Sequence, residues 1–225
     1  MEPLAREILS FWFGTKDLSV EVVPRQIWFR STPEFDGYLS RTYTGVHERA
    51  AAGALDHFKD TPEDCLSLII VLDQFPRNIY RGTARAYASD AKAREIAKHA
   101  LARGYERNFH TSPRLFVYLP FEHSEILADQ ERGLELYRAL NDERSLNSAT
   151  AHHDAIMRFG RFPHRNAVMG RKNTPEEEEY LKDPPLWGKT AAEVAEAERR
   201  TAAREDDGGQ AVIDPDGAKP GPANT

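Results

Sequence analysis

The most apolar stretch of the chain is Leu66-Ser67-Leu68-Ile69-Ile70-Val71-Leu72, a run that taken alone suits a buried strand or a buried helix. Thr61-Pro62-Glu63-Asp64 ahead of it starts a helix, and no partner strand is evident elsewhere, so the run predicts a helix buried on all sides. A second apolar segment, Ile8-Leu9-Ser10-Phe11-Trp12-Phe13, predicts a helix docked on the core. Prolines punctuate the chain. Thr32-Pro33, Thr61-Pro62, Ser112-Pro113 and Thr174-Pro175 each set a hydroxyl before a proline. That pairing is an N-cap followed by the first helical position, where proline's missing N–H is no loss. Thr174 with Glu177 and Thr190 with Glu193 have capping-box spacing.

These six signals predict an all-α chain. Helices are expected over 3–13, 33–52, 62–75, 89–103, 113–119, 121–140, 143–160, 175–182 and 189–204, with a shorter turn over 25–29. Antiparallel helices with short connections make a bundle or a stack of helical hairpins. Ala93 to Tyr105 carries small residues at helix-contact spacing and ends at Gly104, as helices in tetratricopeptide stacks do. A strict repeat of ~34 residues is absent, so the expected architecture is a degenerate tetratricopeptide-like superhelix. At 225 residues and 40% hydrophobic content, one all-helical domain over 1–204 is expected, followed by a disordered tail over 205–225 rich in Gly, Asp, Pro and Ala. Trp187, within Pro184-Pro185-Leu186-Trp187-Gly188, either pins the last helix to the body or docks a neighbour.

Charge narrows the function classes. Of the net −6, −4 lies after residue 204, in Glu205, Asp206, Asp207, Asp214 and Asp216 against Lys219. The body is close to neutral, which argues against a nucleic-acid surface and a polybasic membrane anchor. No stretch approaches the ~20 apolar residues of a membrane span, and the first residues lack a signal pattern, so a cytoplasmic protein is expected. The single cysteine, Cys65, excludes an internal disulfide and a thiolate zinc cluster; its apolar neighbours predict a buried, inert thiol.

Candidate chemistry lies in an echo. Phe75-Pro76-Arg77-Asn78 is followed by Arg81-Gly82-Thr83, and Phe162-Pro163-His164-Arg165-Asn166 by Gly170-Arg171 and Thr174. Each copy is expected to end a helix and lay Arg and Asn into a connection. Asp73 closes the most apolar helix, where a carboxylate opposes the helix dipole and needs a cation, with Arg77 the nearest. Pro120 is expected to break or kink its helix, placing Glu122 and Glu125 in the first turn of the next one, and His123 is expected to point toward the core. Between His152 and Lys172 five Lys/Arg face the lone Asp154 before Glu176 to Glu179 reverse the sign.

No metal site is expected. His-x-x-x-His and repeated Glu-x-x-His spacings are missing, and the adjacent His152 and His153 face about 100° apart on a helix. Nucleophilic and phosphate-loop motifs are absent too, and no cofactor is implied. A ligand would be a small anion held by guanidinium forks, with Arg77, Arg161 and Arg165 the candidates and Asp73, Asn78, Glu122, His153 and Asn166 beside them. His123 or His164 is the natural proton carrier in any reaction. The alternatives are a scaffold binding a peptide or protein, and a purely structural role in which the Arg-Asn corners are braces.

Ile8 to Gly14, Leu72 to Asn78, Tyr118 to Glu125 and Arg158 to Asn166 resemble, in order, the signature blocks of a bacterial family known as domain of unknown function 924. The resemblance spans about residues 8 to 182 and implies an all-α, tetratricopeptide-like fold in bacteria, with no assigned reaction.

Overall fold

The computed structural model describes residues 1–29, 32–185 and Trp187. Among them are eight α-helices, several short 3-10 turns and no strand: α1 Pro3–Phe13, α2 Pro33–Ala51, α3 Pro62–Ile79, α4 Asp90–Ala102, α5 Thr111–Glu122, α6 Leu127–Leu140, α7 Glu143–Phe159 and α8 Pro175–Tyr180. Three of the four hydroxyl–proline caps act as the sequence predicts: Thr32, Thr61 and Thr174 accept from the backbone N–H of Phe35, Asp64 and Glu177, and Thr174 with Glu177 forms a complete capping box. The fourth does not: α5 starts at Thr111 with His110 before it, so Ser112 lies inside the helix and caps nothing. Residues Met1–Pro185 pack as one unit. The expected helix over 189–204, the domain end at 204 and the tail over 205–225 lie outside the described residues.

The apolar run is a helix, and it is the centre of the fold. Every residue of α3 from Asp64 to Pro76 is buried, because α1, α2, α4 and α5 all pack around it. A helix with apolar residues on all sides needs neighbours on all sides. Beyond α4, successive helices lie against one another, α4 on α5, α5 on α6 and α6 on α7. Large aromatic rings fill the gap between α1, α3 and α5: Trp12 meets Phe75 and Phe116 at 5.6 and 5.8 Å, and Phe13 and Trp28 both close on Phe116. Cys65 is fully buried on α3, and burial pushes its thiol up to about 12.

Two prolines behave differently from the sequence expectation. α3 continues through Pro76 to Ile79, so the first Arg-Asn corner is helical. Proline at 76 removes the donor that the Leu72 carbonyl needs four residues earlier, and the Ser89 hydroxyl supplies it from outside the helix, at 2.6 Å. α5 likewise continues through Pro120 and ends at Glu122, while α6 begins only at Leu127. Glu122 therefore sits at a helix C-terminus rather than in a first turn. The intervening turn is tied by Gln130, whose amide donates to the carbonyls of Glu122 and Ser124 at 2.6 and 2.7 Å, and by the Ser124 hydroxyl on Asp129 at 2.9 Å.

Candidate functional site

Asp73 is carried into the core by α3, and its carboxylate is only 1% exposed. Three partners compensate it. The Arg77 guanidinium lies 3.3 Å from Oδ1 and also donates to the Asp73 carbonyl, the Gln74 amide donates to Oδ2, and His123 Nδ1 approaches at 2.9 Å. Burial pushes the Asp73 carboxyl up, but Arg77 and His123 outweigh burial and hold it well below the usual carboxylate range.

The state of His123 follows. An ionised carboxylate only accepts, so Nδ1 of the imidazole carries the hydrogen and donates it to Asp73. Burial, with Arg77 nearby, pushes the His123 pKa down, and the ring is neutral at neutral pH with its lone pair on Nε2. Among the described residues that nitrogen has no hydrogen-bond partner, and the side chain keeps 14% exposure.

A second carboxylate–imidazole pair lies beside the first. His152 Nδ1 is 3.0 Å from Glu122 Oε1, which also accepts from the Ser148 hydroxyl at 2.8 Å. The two imidazole rings are 6.3 Å apart. Burial raises the Glu122 carboxyl, but His152 overrides it and the group is held down at about 2. Tyr137, fully buried, has its phenol pushed well up by that burial and by Glu122.

The two halves of the echo meet on Asp90, the first residue of α4. Arg77 grips its carboxylate with two parallel bonds of 3.1 and 3.0 Å, and Arg165 adds a third at 3.2 Å. Arg165 also donates to the His123 carbonyl at 3.1 Å, and its guanidinium lies 4.3 Å from the Tyr87 ring centre and 4.7 Å from that of Phe162. Such geometry is the kind that favours arginine over lysine. His164 packs on Phe162 at 5.7 Å, and burial, with Arg165 adding to it, pushes its imidazole down to about 3.

The structure thus brings Asp73, Arg77, Glu122, His123, His164 and Arg165 together. Four other candidates are placed elsewhere. Asn78 joins Arg81 in tying Asp36 of α2, at 2.9 and 2.7 Å. Arg161 grips Glu177 with bonds of 2.6 and 2.8 Å. Asn166 is fully buried against Asn173, and His153 turns toward its neighbour Asp154 at 3.4 Å. Sequence reasoning missed His152, Asp90 and Tyr87. For His152 a signal existed, since Ala149, His152, Ala155 and Ile156 form the buried face of α7 at helical spacing. Asp90 has none, being 75 positions from Arg165. Among the described residues no group of three or more His, Cys, Asp or Glu is placed to hold a metal ion, and no helix is long and apolar enough to cross a membrane.

Comparison with known proteins agrees with this reading of the fold. A solved structure of a protein of unknown function, ATU0120 from Agrobacterium tumefaciens, is similar at 39% identity with a TM-score of 0.74, covering 80% of this chain and 98% of that one. No curated protein matches. The model of a family described as bacterial protein of unknown function, DUF924, matches residues 8–185, which contain every residue of the cluster, and the chain belongs to that family.

Proposed function

We propose that the chain binds a small polar molecule beside His123 and that His123 Nε2 exchanges a proton with it. The observation that carries this reading is the Asp73–His123 pair: a buried anion fixes the tautomer at Nδ1, and the opposite nitrogen has no partner among the described residues. A neutral imidazole held this way is a general base as folded. Arg77, 20% exposed, is the outermost cation of the cluster, and an acidic group on the ligand would share it with Asp90. Anion binding by free arginine forks gives way to this reading because Arg77, Arg161 and Arg165 each already hold a carboxylate. The order of helix packing supports a hairpin stack of the tetratricopeptide kind around the site, and a cytoplasmic setting suits a chain with one unpaired cysteine.

A thermal-shift panel of short-chain carboxylates, sugar phosphates and neutral polyols tests the reading on wild type and on His123→Gln. A ligand at a hundred times its dissociation constant stabilises the folded state by ~2.7 kcal/mol. The expected result is a compound that shifts wild type and leaves the variant unmoved, the two having similar melting temperatures alone. A panel in which the folded variant responds just as wild type does would sink the proposal.

A further inference from the structure

α3 runs through Pro76 because something outside the helix replaces the N–H that proline lacks. That something is Ser89 Oγ, which donates to the Leu72 carbonyl at 2.6 Å. Ser89 is itself 5% exposed and is held in turn by His47 of α2, whose Nε2 lies 3.1 Å from the same hydroxyl. A serine has a single hydrogen, already directed to Leu72, so His47 Nε2–H must donate to Ser89. The lone pair of His47 then lies on Nδ1, where the Tyr80 hydroxyl donates to it at 3.2 Å. Burial, followed by Arg85, pushes the His47 pKa down and keeps the ring neutral, which this direction of donation requires.

The two ends of this strap are adjacent to the site's two anchoring carboxylates. Leu72 precedes Asp73, which holds His123, and Ser89 precedes Asp90, on which Arg77 and Arg165 meet. We propose that Ser89, oriented by His47, is a positioning residue for His123: by replacing the hydrogen bond that Pro76 removes, it fixes the turn of α3 from which Asp73 reaches the imidazole. The inference rests on His123 being the proton-exchanging group. In this view the proline is not an interruption. It frees the Leu72 carbonyl so that α2 and the start of α4 are both tied to the turn that carries Asp73.

Long-range proton–nitrogen NMR of the full chain, labelled at histidine nitrogens, reads the tautomer of His123 directly. Wild type is expected to show a single Nδ1–H tautomer at neutral pH. Ser89→Ala removes the donor to Leu72, and the two ring nitrogen shifts of His123 are expected to converge as tautomers mix. Ser89→Thr keeps the hydroxyl and the wild-type pattern. Combining Ser89→Ala with Pro76→Ala gives position 76 its own N–H, so the double variant is expected to recover the single tautomer.

A Ser89→Ala spectrum with an unchanged His123 tautomer overturns the inference, whatever happens to the melting temperature. Failure of the double variant to recover the pattern does the same. Should Ser89→Ala not fold, the double variant decides: recovery of fold and tautomer supports the strap, and continued unfolding refutes it. A wild-type His123 that lacks the Nδ1–H tautomer refutes instead the reading of His123 as a base.

Discussion

Asp73→Ala is expected to destabilise the protein by about 3–5 kcal/mol, the usual effect of removing one partner from a buried ion pair. The carboxylate is 1% exposed and joined to Arg77, His123 and Gln74 at once. Its loss leaves the partly buried Arg77 guanidinium with Asp90 as its one carboxylate and deprives His123 Nδ1–H of its acceptor. Denaturant unfolding checks the prediction, with the midpoint falling and the slope unchanged. Arg81→Ala is the contrast, because its pair with Asp36 is 46% and 21% exposed and such pairs contribute ~0–1 kcal/mol. Similar losses in the two variants would mean that the inner cluster is no more than a surface-type brace.

The second large effect is with pH. The His164 imidazole is held at about 3, against an unfolded value near 6.5, because burial disfavours its charged form. A group depressed in this way binds its proton more readily in the unfolded chain. Stability is therefore full above about pH 6.5 and is lost as pH falls toward about 3. With ~1.4 kcal/mol per pKa unit, the loss from this group alone is on the order of 4 kcal/mol at pH 3. Glu122, held at about 2 by His152, acts in the same direction over a lower window, from its ordinary value near 4.5 downward. Unfolding free energies from pH 7 to pH 3 should fall steeply, and His164→Phe should flatten the upper part of that slope. An unaltered slope in a folded His164→Phe variant would assign the acid lability to other groups.

What was legible in the sequence was local. Threonine before proline marks the starts of α2, α3 and α8 because a cap is made within four residues of itself. The burial of α3 was legible from an apolar run longer than any one face needs. What failed was each case where a distant residue changes a local rule. Pro76 reads as a helix end until Ser89, thirteen positions on, takes the Leu72 carbonyl. Pro120 reads as a break or a kink with a new helix starting at 121, yet α5 passes it to Glu122 and the turn after it is closed by Gln130. The echo did identify Arg77 and Arg165, and their convergence is real, but on Asp90, which local spacing does not connect to either. Of the adjacent pair His152 and His153, the residue on the apolar face of α7 is His152, in line with Ala149, Ala155 and Ile156.

Cys65 turns this architecture into a clock. The thiol stands two helical turns before Asp73 on the helix that all the inner elements enclose, with no exposure and an acidity suppressed by burial. A thiol reagent meets it only when α3 parts from its neighbours, since the thiolate is the reacting form. The labelling rate of the unaltered protein thus reports on the opening of the central helix.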